Sequence, residues 1–475
     1  MQKSVFKCEK FNFARFFNWT LNYGRWTIDF IKSLNLYPTS QVQRPSSIIE
    51  RPIMRIFKFG GASLRDTDNI KNVTEIIRKN SDAPLGVVVS AIGKTTNALE
   101  EVVRAYFAQN DTAFDLLNKV REQHESVMHA LFDKSDEVWA QVNDLFVEAE
   151  WVLEDVPHDA YDYIYDQIVS LGELLSSRIL TAYLKKEGVK TLWLDARDVL
   201  RTDDTWREAV VDWQATGKKI KENVLPKWQQ ANVIVTQGFI GSTKDNNTTT
   251  LGREGSDFSA AIFAHCLDAE SMSIWKDVDG VYAGDPRVFK NVKKLEHIGF
   301  DEAVEMTYYG ATVVHPRTIQ PLMAKNIPLH VRSFTDHDAA GTVIDGAHTG
   351  CKYPPIFTVE RDQVFLKLSN KDFSFLVEAH IAELFGIFAK HRIFVNLMQN
   401  SGAYFFVSIT HSHEKENTLM TALKDKFNVE VESGMELFTV RHPTPEAIKE
   451  ISEGKKIVFE KSLLNTTQIL MEKPD

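Results

Sequence analysis

The chain has 475 residues, 43% of them hydrophobic and 25% charged, with a formal net charge of −10 at pH 7. That length exceeds one ordinary core and predicts two or three domains, and the composition excludes wholesale disorder. An acidic chain without a general basic field is a poor nucleic-acid partner. Three scattered cysteines (Cys8, Cys266, Cys351) suggest a reducing compartment rather than a disulfide framework or zinc cluster, and no apolar run reaches the roughly 18 residues of a membrane span.

Residues 1–53 differ from the rest. Lys3, Lys7, Lys10, Arg15, Arg25, Lys32, Arg44 and Arg51 face only Glu9, Asp29 and Glu50, among aromatics such as Phe16, Phe17, Trp19 and Trp26. Four readings fit: a targeting peptide, an amphipathic anchor, an extra packed element, or upstream sequence translated before Met54. No clean apolar h-region or small-residue cleavage site is present, which argues against secretion. A start at Met54 is the reading preferred, with 1–53 poorly ordered or mis-started.

From 55 to about 345, short apolar runs alternate with helical stretches. The predicted strands are Ile56–Phe59, Gly86–Ala91, Thr191–Leu194, Val233–Thr236, Ser273–Trp275 and Leu329–Arg332. Runs such as Gly86-Val87-Val88-Val89 suit strands buried on both faces, so the expected fold class is α/β, a mainly parallel sheet sandwiched between helices. A breaker-poor region over 112–186 predicts a helical subdomain.

The first strand ends in Lys58-Phe59-Gly60-Gly61-Ala62-Ser63. A strand breaking into two glycines before a helix bares backbone N–H groups, and Lys58 adds a positive charge beside them, which together suit an anion. Lysine precedes the glycines here, unlike the common nucleoside-triphosphate loop. Taken alone, the segment is more often only an ordinary turn.

Two later segments carry more chemistry. In Thr250-Leu251-Gly252-Arg253-Glu254-Gly255-Ser256-Asp257, the planar fork of Arg253 suits a carboxylate or phosphate, while Asp257 also reads as a capping acid in a first helical turn. Lys276-Asp277-Val278-Asp279-Gly280-Val281-Tyr282 and Asp285-Pro286-Arg287 follow a strand, where open α/β sheets bind ligands; an ordinary turn is the plainer reading.

Near Tyr353-Pro354-Pro355 the chain changes character, predicting a linker at 346–359. Beyond it runs a β–α–β–β–α–β pattern: Val364–Leu368, Leu376–His391, Phe394–Gln399, Tyr404–Thr410, Asn417–Phe427 and Val429 onward. Pro445–Gly454 and Lys456–Glu460 suggest a partial second copy of this ferredoxin-like plan.

Taken in order, these segments resemble the aspartate kinases of the amino-acid kinase superfamily. Ser90 with Thr95-Thr96-Asn97, Leu171-Gly172-Glu173, Thr236-Gln237-Gly238-Phe239, and Tyr309-Gly310-Ala311 with His315-Pro316 continue the match. It covers about 54–345, and the region 360–475 resembles the family's ACT-type regulatory and dimerisation module. The resemblance implies ATP-dependent phosphorylation of the side chain of L-aspartate, with Mg²⁺, in a cytoplasmic homodimer joined through the C-terminal region. Lys58 would contact the transferring phosphoryl group, cradled by Gly60 and Gly61. Ser90, Thr96, Glu173, Phe239, Arg253, Ser256 and Asp257 would surround the amino acid and organise the site, with Asp257 an organiser of cations. Asp277, Tyr282 and Arg287 would contact ATP. No protein-built metal cluster is expected.

Three positions depart from the pattern. Glu254 stands where relatives often have Gly, Thr312 where many have Lys, and Lys276 where Thr is common. Lys276 is therefore expected to supply the cation that Thr312 does not. In the tail, Leu368–Phe373 and Phe394–Leu397 would form an effector site for an allosteric amino acid, although Asn396 sits where lysine-sensitive relatives carry Asp, and a dimerisation domain without an effector stays open. Two other readings stay open: an acetylglutamate- or glutamate-kinase-like enzyme, and a catalytically silent amino-acid sensor.

Overall fold

The computed structural model describes residues 54–473 apart from 110–111, 312–313 and 412, without the side chains of 413–416. The expectations for residues 1–53 and for Thr312 lie outside the described residues.

The chain divides into two compact units, one of 51–358 with 440–444, the other containing 359–439 and 445–475. The first is built on an eight-stranded sheet. Its strands are β1 (Arg55–Phe59), β2 (Leu85–Val89), β3 (Thr191–Leu194), β4 (Val233–Gln237), β7 (Ser271–Lys276), β10 (His297–Gly299), β11 (Leu329–Ser333) and β12 (Thr342–Asp345). Hairpins of β5 (Ile240–Ser242) with β6 (Thr248–Thr250) and of β8 (Val281–Tyr282) with β9 (Lys294–Leu295) lie outside it. The order is β10-β12-β11-β7-β1-β2-β4-β3, parallel from β11 to β3, with β12 antiparallel to β11. All six predicted strands belong to it; β10 and β12 are additional.

Side chains alternate across this sheet. Phe57, Phe59, Val87 and Val89 enter one core with the helices between 67 and 186, including Leu171–Lys186. Ile56, Val88 and Ile274 enter the other with the helix Gly255–Cys266. Lys58 shares the parity of Ile56, so it faces the Gly255–Cys266 helix.

The turn after β1 corrects one expectation. The glycines do not open an α-helix. Gly61–Leu64 form a four-residue 3₁₀ turn, and the α-helix begins at Thr67, where Asp66 accepts a hydrogen bond from the backbone of Asn69. Aspartate is a strong N-cap and stops the helix from extending back to the glycines.

The stretch 346–358, expected as linker, is hydrogen-bonded within the first unit. The Tyr353 hydroxyl accepts from Gly299 N at 2.8 Å, and Phe357 N donates to Ala283 O at 2.9 Å. Residues 440–444 also belong there: Arg441 donates to both carboxylate oxygens of Glu302 at 2.6 and 2.8 Å and to Glu305 at 2.9 Å.

The other unit is a six-stranded sheet, in the order β14 (Val395–Asn400), β15 (Phe405–Thr410), β13 (Ile356–Asn370), β16 (Phe427–Arg441), β18 (Thr466–Glu472), β17 (Ile457–Leu463). Helices Glu378–Lys390 and His413–Lys426 complete one ferredoxin-like repeat; the second stops at one helix, Pro445–Ser452, and two strands. Val364, Leu366, Leu384, Phe388, Val407 and Leu423 form its core.

Candidate active site

β1, β2, β4 and β7 are adjacent parallel strands, so their carboxyl ends bring distant segments together. Backbone hydrogen bonds hold these ends in register. Ser90 N donates to Phe59 O at 3.1 Å, Gly93 N to Gly61 O at 3.0 Å and Gly238 N to Val89 O at 2.8 Å.

At the centre, Lys58 Nζ lies 2.5 Å from Asp257 Oδ1. Lys276 Nζ, at the end of β7, lies 4.0 Å from the other oxygen, Asp257 Oδ2. Asp257 is thus no solvent-facing capping acid. It is a buried carboxylate between two ammonium groups. Arg253, on the same loop, is exposed. Its charge and that of Asp257 are both felt by His315, whose pKa is lowered by burial first and then by Arg317 and Arg253.

The helix carrying Asp257 starts at a strained residue. Glu254 has φ +53°, a conformation that favours glycine. Its Oε2 is buried without a hydrogen-bond partner among the described residues. Burial, then the neighbouring Asp257, raises its pKa against the opposing charges of Lys276, Arg253 and Lys58.

Glu173 lies on the helix Leu171–Lys186 and is only 3% exposed. Its Oε1 accepts from Ala91 N at 3.3 Å, and Oε2 has no partner among the described residues. Desolvation pushes its pKa up to about 8, against the charge of Lys58. A buried carboxyl with one unsatisfied oxygen suits an incoming cation.

Two close approaches fix the walls. A Cβ on Gly61 would come within 2.6 Å of Gly93 O and 2.8 Å of Ala91 O, and one on Gly238 would meet Ser256 Cβ at 2.5 Å. A Cβ on Gly60 would meet only Lys58 Nζ, at 3.5 Å. Phe239 N donates to Ser259 Oγ at 2.9 Å, tying the end of β4 to the Asp257 helix. Ser256 is buried, and Ser90 and Thr96 are half-buried.

The remaining predicted residues form a second group in the loops after β7. Tyr282 OH donates to Asp279 Oδ1 at 2.9 Å. Arg287 is exposed and turned onto Asp285, donating from Nε and Nη2 at 3.0 and 2.8 Å. Asp277 is exposed. No contact joins Tyr282, Arg287 or Asp277 to Lys58 or Asp257 among the described residues.

Sequence reasoning missed Asp166. This fully buried carboxylate accepts from Thr250 N (2.9 Å), Thr250 Oγ1 (2.6 Å) and Arg207 N (3.1 Å). Desolvation raises its pKa to about 6, against those hydrogen bonds. It ties the helix Tyr161–Val169 to the strand leading into Arg253. Sequence spacing gave no signal for it, since it lies on the helix before the one that carries Glu173.

In the C-terminal unit, Asn370 Nδ2 donates to Ser374 Oγ at 3.0 Å, and Asn396 Nδ2 to Gln363 Oε1 at 3.0 Å and Thr410 Oγ1 at 2.8 Å.

Comparison with known proteins agrees with this geometry. Residues 54–333 match the amino acid kinase family. The lysine-sensitive aspartokinase 3 of Escherichia coli (strain K12) is 33% identical over 392 residues, covering 80% of this chain and 85% of that protein. A chloroplastic bifunctional aspartokinase/homoserine dehydrogenase 2 of Arabidopsis thaliana is 36% identical over 67% of this chain, which spans 34% of that longer protein. The crystal structure of E. coli aspartokinase III with aspartate and ADP superposes with a TM-score of 0.76 at 28% identity, covering 88% of this chain and 96% of that one. With a matching family model over more than half its length and a 33% identical aspartokinase of which it covers 85%, the chain belongs to the aspartate kinases of the amino acid kinase family.

Proposed function

We propose that this aspartate kinase transfers the γ-phosphoryl group of ATP to the β-carboxylate of L-aspartate at the Lys58–Asp257 centre, giving 4-phospho-L-aspartate. The 2.5 Å contact of Lys58 with Asp257, with Lys276 on the same carboxylate, is the observation that carries the reading. It concentrates positive charge at the carboxyl ends of adjacent strands. The related E. coli structure holds aspartate and ADP, which supports both substrates.

The attacking carboxylate has a reference pKa of about 3.9 and is ionised at neutral pH, so no general base is needed. The barrier lies in bringing two anions together, and it falls through positioning and fixed charge. Arg253 clamps the α-carboxylate, and Glu173 receives the α-ammonium. Ser90, Thr96, Phe239 and Ser256 shape the amino-acid side. Lys58 stabilises the transferring phosphoryl group against the turn at Gly60 and Gly61. Asp257 holds Lys58 in place, and Lys276 adds the second cation on the nucleotide side. Asp277, Tyr282 and Arg287 line the approach of ATP.

Among the described residues no group of three or more His, Cys, Asp or Glu is arranged to hold a metal. Mg²⁺ is commonly held by one or two carboxylates together with substrate phosphates, so it would arrive on the nucleotide. When bound, it would neutralise phosphate charge.

No helix among the described residues is long and apolar enough to cross a membrane, and a cytoplasmic location fits the reducing-compartment reading of the cysteines. The C-terminal unit is assigned dimerisation and the sensing of an end-product amino acid. ADP release coupled to a reporter, measured with aspartate, glutamate and acetylglutamate, tests the activity. Turnover with aspartate alone is expected; equal or better turnover with another acceptor refutes it. Repeating the assay with lysine, threonine and methionine identifies the effector.

A further inference from the structure

We propose that Asp166 is a positioning residue for the amino-acid substrate, fixing the loop that carries Arg253 to the helical arm that carries Glu173. The inference rests on the reading of Arg253 and Glu173 as the groups that hold the α-carboxylate and the α-ammonium of aspartate.

Three donors from two segments converge on this fully buried carboxylate. Thr250 gives its backbone N–H to Oδ2 at 2.9 Å and its hydroxyl to Oδ1 at 2.6 Å. Arg207 N is shared between the two oxygens at 3.1 Å each. The two segments also join each other, since Ala209 N donates to Thr250 O at 2.9 Å. With its pKa raised by burial only to about 6, Asp166 is ionised at neutral pH and accepts more strongly than a neutral oxygen. It belongs to the helix Tyr161–Val169, which passes through Ser170 directly into the helix Leu171–Lys186 and Glu173.

Arg253 follows Thr250 by three residues, and the turn between them has little room. Gly252 has φ +75°, and a Cβ there would meet Arg207 O at 3.0 Å and Glu208 Cγ at 3.1 Å. The turn therefore rests against the loop whose backbone Asp166 holds. Arg207 is fixed from its other end, with its guanidinium 4.3 Å over the Tyr165 ring and 3.3 Å from Asp162. Its φ of +68° is one that a residue with a side chain adopts at a cost. Asp257 has separate anchors. Phe239 N donates to Ser259 Oγ on its helix, and Ile262 and Phe263 of that helix are in the core. Loosening Asp166 lets the Arg253 loop and the Glu173 arm drift apart while Lys58 stays on Asp257, so the loss falls on the amino acid and not on the nucleotide.

The test is steady-state kinetics with aspartate and ATP varied separately, beside thermal unfolding. Asp166→Asn keeps the shape but replaces one acceptor oxygen with a donor that faces donors. It is expected to raise the KM for aspartate about tenfold or more, with the KM for ATP within about twofold of wild type. Thr250→Val removes only the hydroxyl donor and should raise the KM for aspartate about threefold. L-Aspartic acid α-amide keeps the attacking β-carboxylate and lacks the α-carboxylate charge. Wild type should prefer aspartate to this amide in kcat/KM, and Asp166→Asn should narrow the preference, which general loosening of the fold would not do. In an Arg253→Ala background, Asp166→Asn should raise the KM for aspartate less than it does alone, because the arginine it places is gone. An unchanged KM for aspartate in both Asp166→Asn and Thr250→Val overturns the proposal. So does a rise in both KM values with the preference over the amide unchanged, which would make Asp166 a residue of the fold alone. Should Asp166→Asn fail to fold, Thr250→Val decides by the same two measurements. If Arg253→Ala itself keeps the wild-type KM for aspartate and the preference, the reading of the site fails. If Arg253→Ala loses the preference while Asp166→Asn and Thr250→Val keep it with a wild-type KM, only this inference fails.

Discussion

Lys58 Nζ and Asp257 Oδ1 meet at 2.5 Å, with the two side chains 10% and 5% exposed. One residue comes from the first strand of the sheet and the other from the first turn of a helix almost 200 positions later. A nearly dry ion pair is a poor source of net stability, because desolvation offsets much of the Coulomb attraction. It is a good way to hold an ammonium in one place before an anion arrives.

Lys58→Met should lower kcat with aspartate by about a hundredfold or more, as losing one positioned electrostatic donor commonly does. It should also destabilise the protein by about 3–5 kcal/mol, since Asp257 loses its closest counter-charge. Lys58→Met/Asp257→Asn should recover much of that stability and none of the activity. Thermal unfolding beside steady-state kinetics checks this. Recovery of turnover in the double variant would show that Lys58 serves the fold alone.

Glu173 gives a prediction in protons. Its folded pKa of about 8 lies above that of an unfolded glutamate, so the native state holds a proton that the unfolded chain has lost. Its contribution is fully present below about pH 4.3, the ordinary glutamate value, and is lost as pH rises through about 8. Glu173→Gln should therefore gain in melting temperature over wild type as pH goes from 5 to 9. If the α-ammonium of aspartate pairs with Glu173, binding near pH 7 must expel that proton. The apparent binding enthalpy should then differ between phosphate and Tris buffers for wild type and not for Glu173→Gln, whose aspartate affinity should fall at least about tenfold. Buffer-independent heats in wild type would remove Glu173 from the ammonium site.

The parallel sheet was legible because its strands are continuous apolar runs; that Lys58 faces the Asp257 helix was not read from them, because a run apolar on both faces does not say which face meets which helix. Arg253, Asp257 and Lys276 stood out as charges at strand and helix ends. Asp166 did not, because a lone acid in a helical stretch looks solvated until folding buries it against Thr250 and Arg207. The 3₁₀ turn at Gly61–Leu64 was missed because Asp66, the real cap, competes with several nearby turn-formers. Residues 440–444 join the first unit through Arg441 and Glu302, a pairing across more than a hundred residues that local patterns do not encode.

Gly60 and Gly61 look interchangeable in sequence, yet their surroundings differ. A methyl at Gly61 is forced against two backbone carbonyls, which cannot swing aside as a side chain can. Gly61→Ala should cost about 1–3 kcal/mol of stability and most of the activity. At Gly60 the methyl meets only the mobile end of Lys58. Gly60→Ala should fold normally and raise the KM for ATP. Equal melting temperatures for the two variants would contradict this assignment of space.

Glu302 and Arg441 form another buried ion pair, with side chains 6% and 10% exposed and His442 Nε2 3.0 Å from Glu302 Oε2. Burial alone would raise the pKa of Glu302, but the hydrogen bonds and charge of Arg441, and then His442, hold it below the usual glutamate range. A depressed carboxyl contributes stability above its unfolded pKa of about 4.3 and loses it as pH falls through the lower folded value. Arg441→Ala should strand Glu302 and destabilise the protein by about 3–5 kcal/mol at pH 7. The loss should shrink below about pH 4.3, where Glu302 is neutral in the variant and leaves no buried charge uncompensated. Arg441→Met/Glu302→Met should lie much nearer wild type, since apolar groups of similar volume often replace a buried pair without penalty. Chemical denaturation at pH 7 and pH 4 separates these outcomes: a loss in Arg441→Ala that is the same at both would show that it comes from packing of the arginine stem and not from its charge.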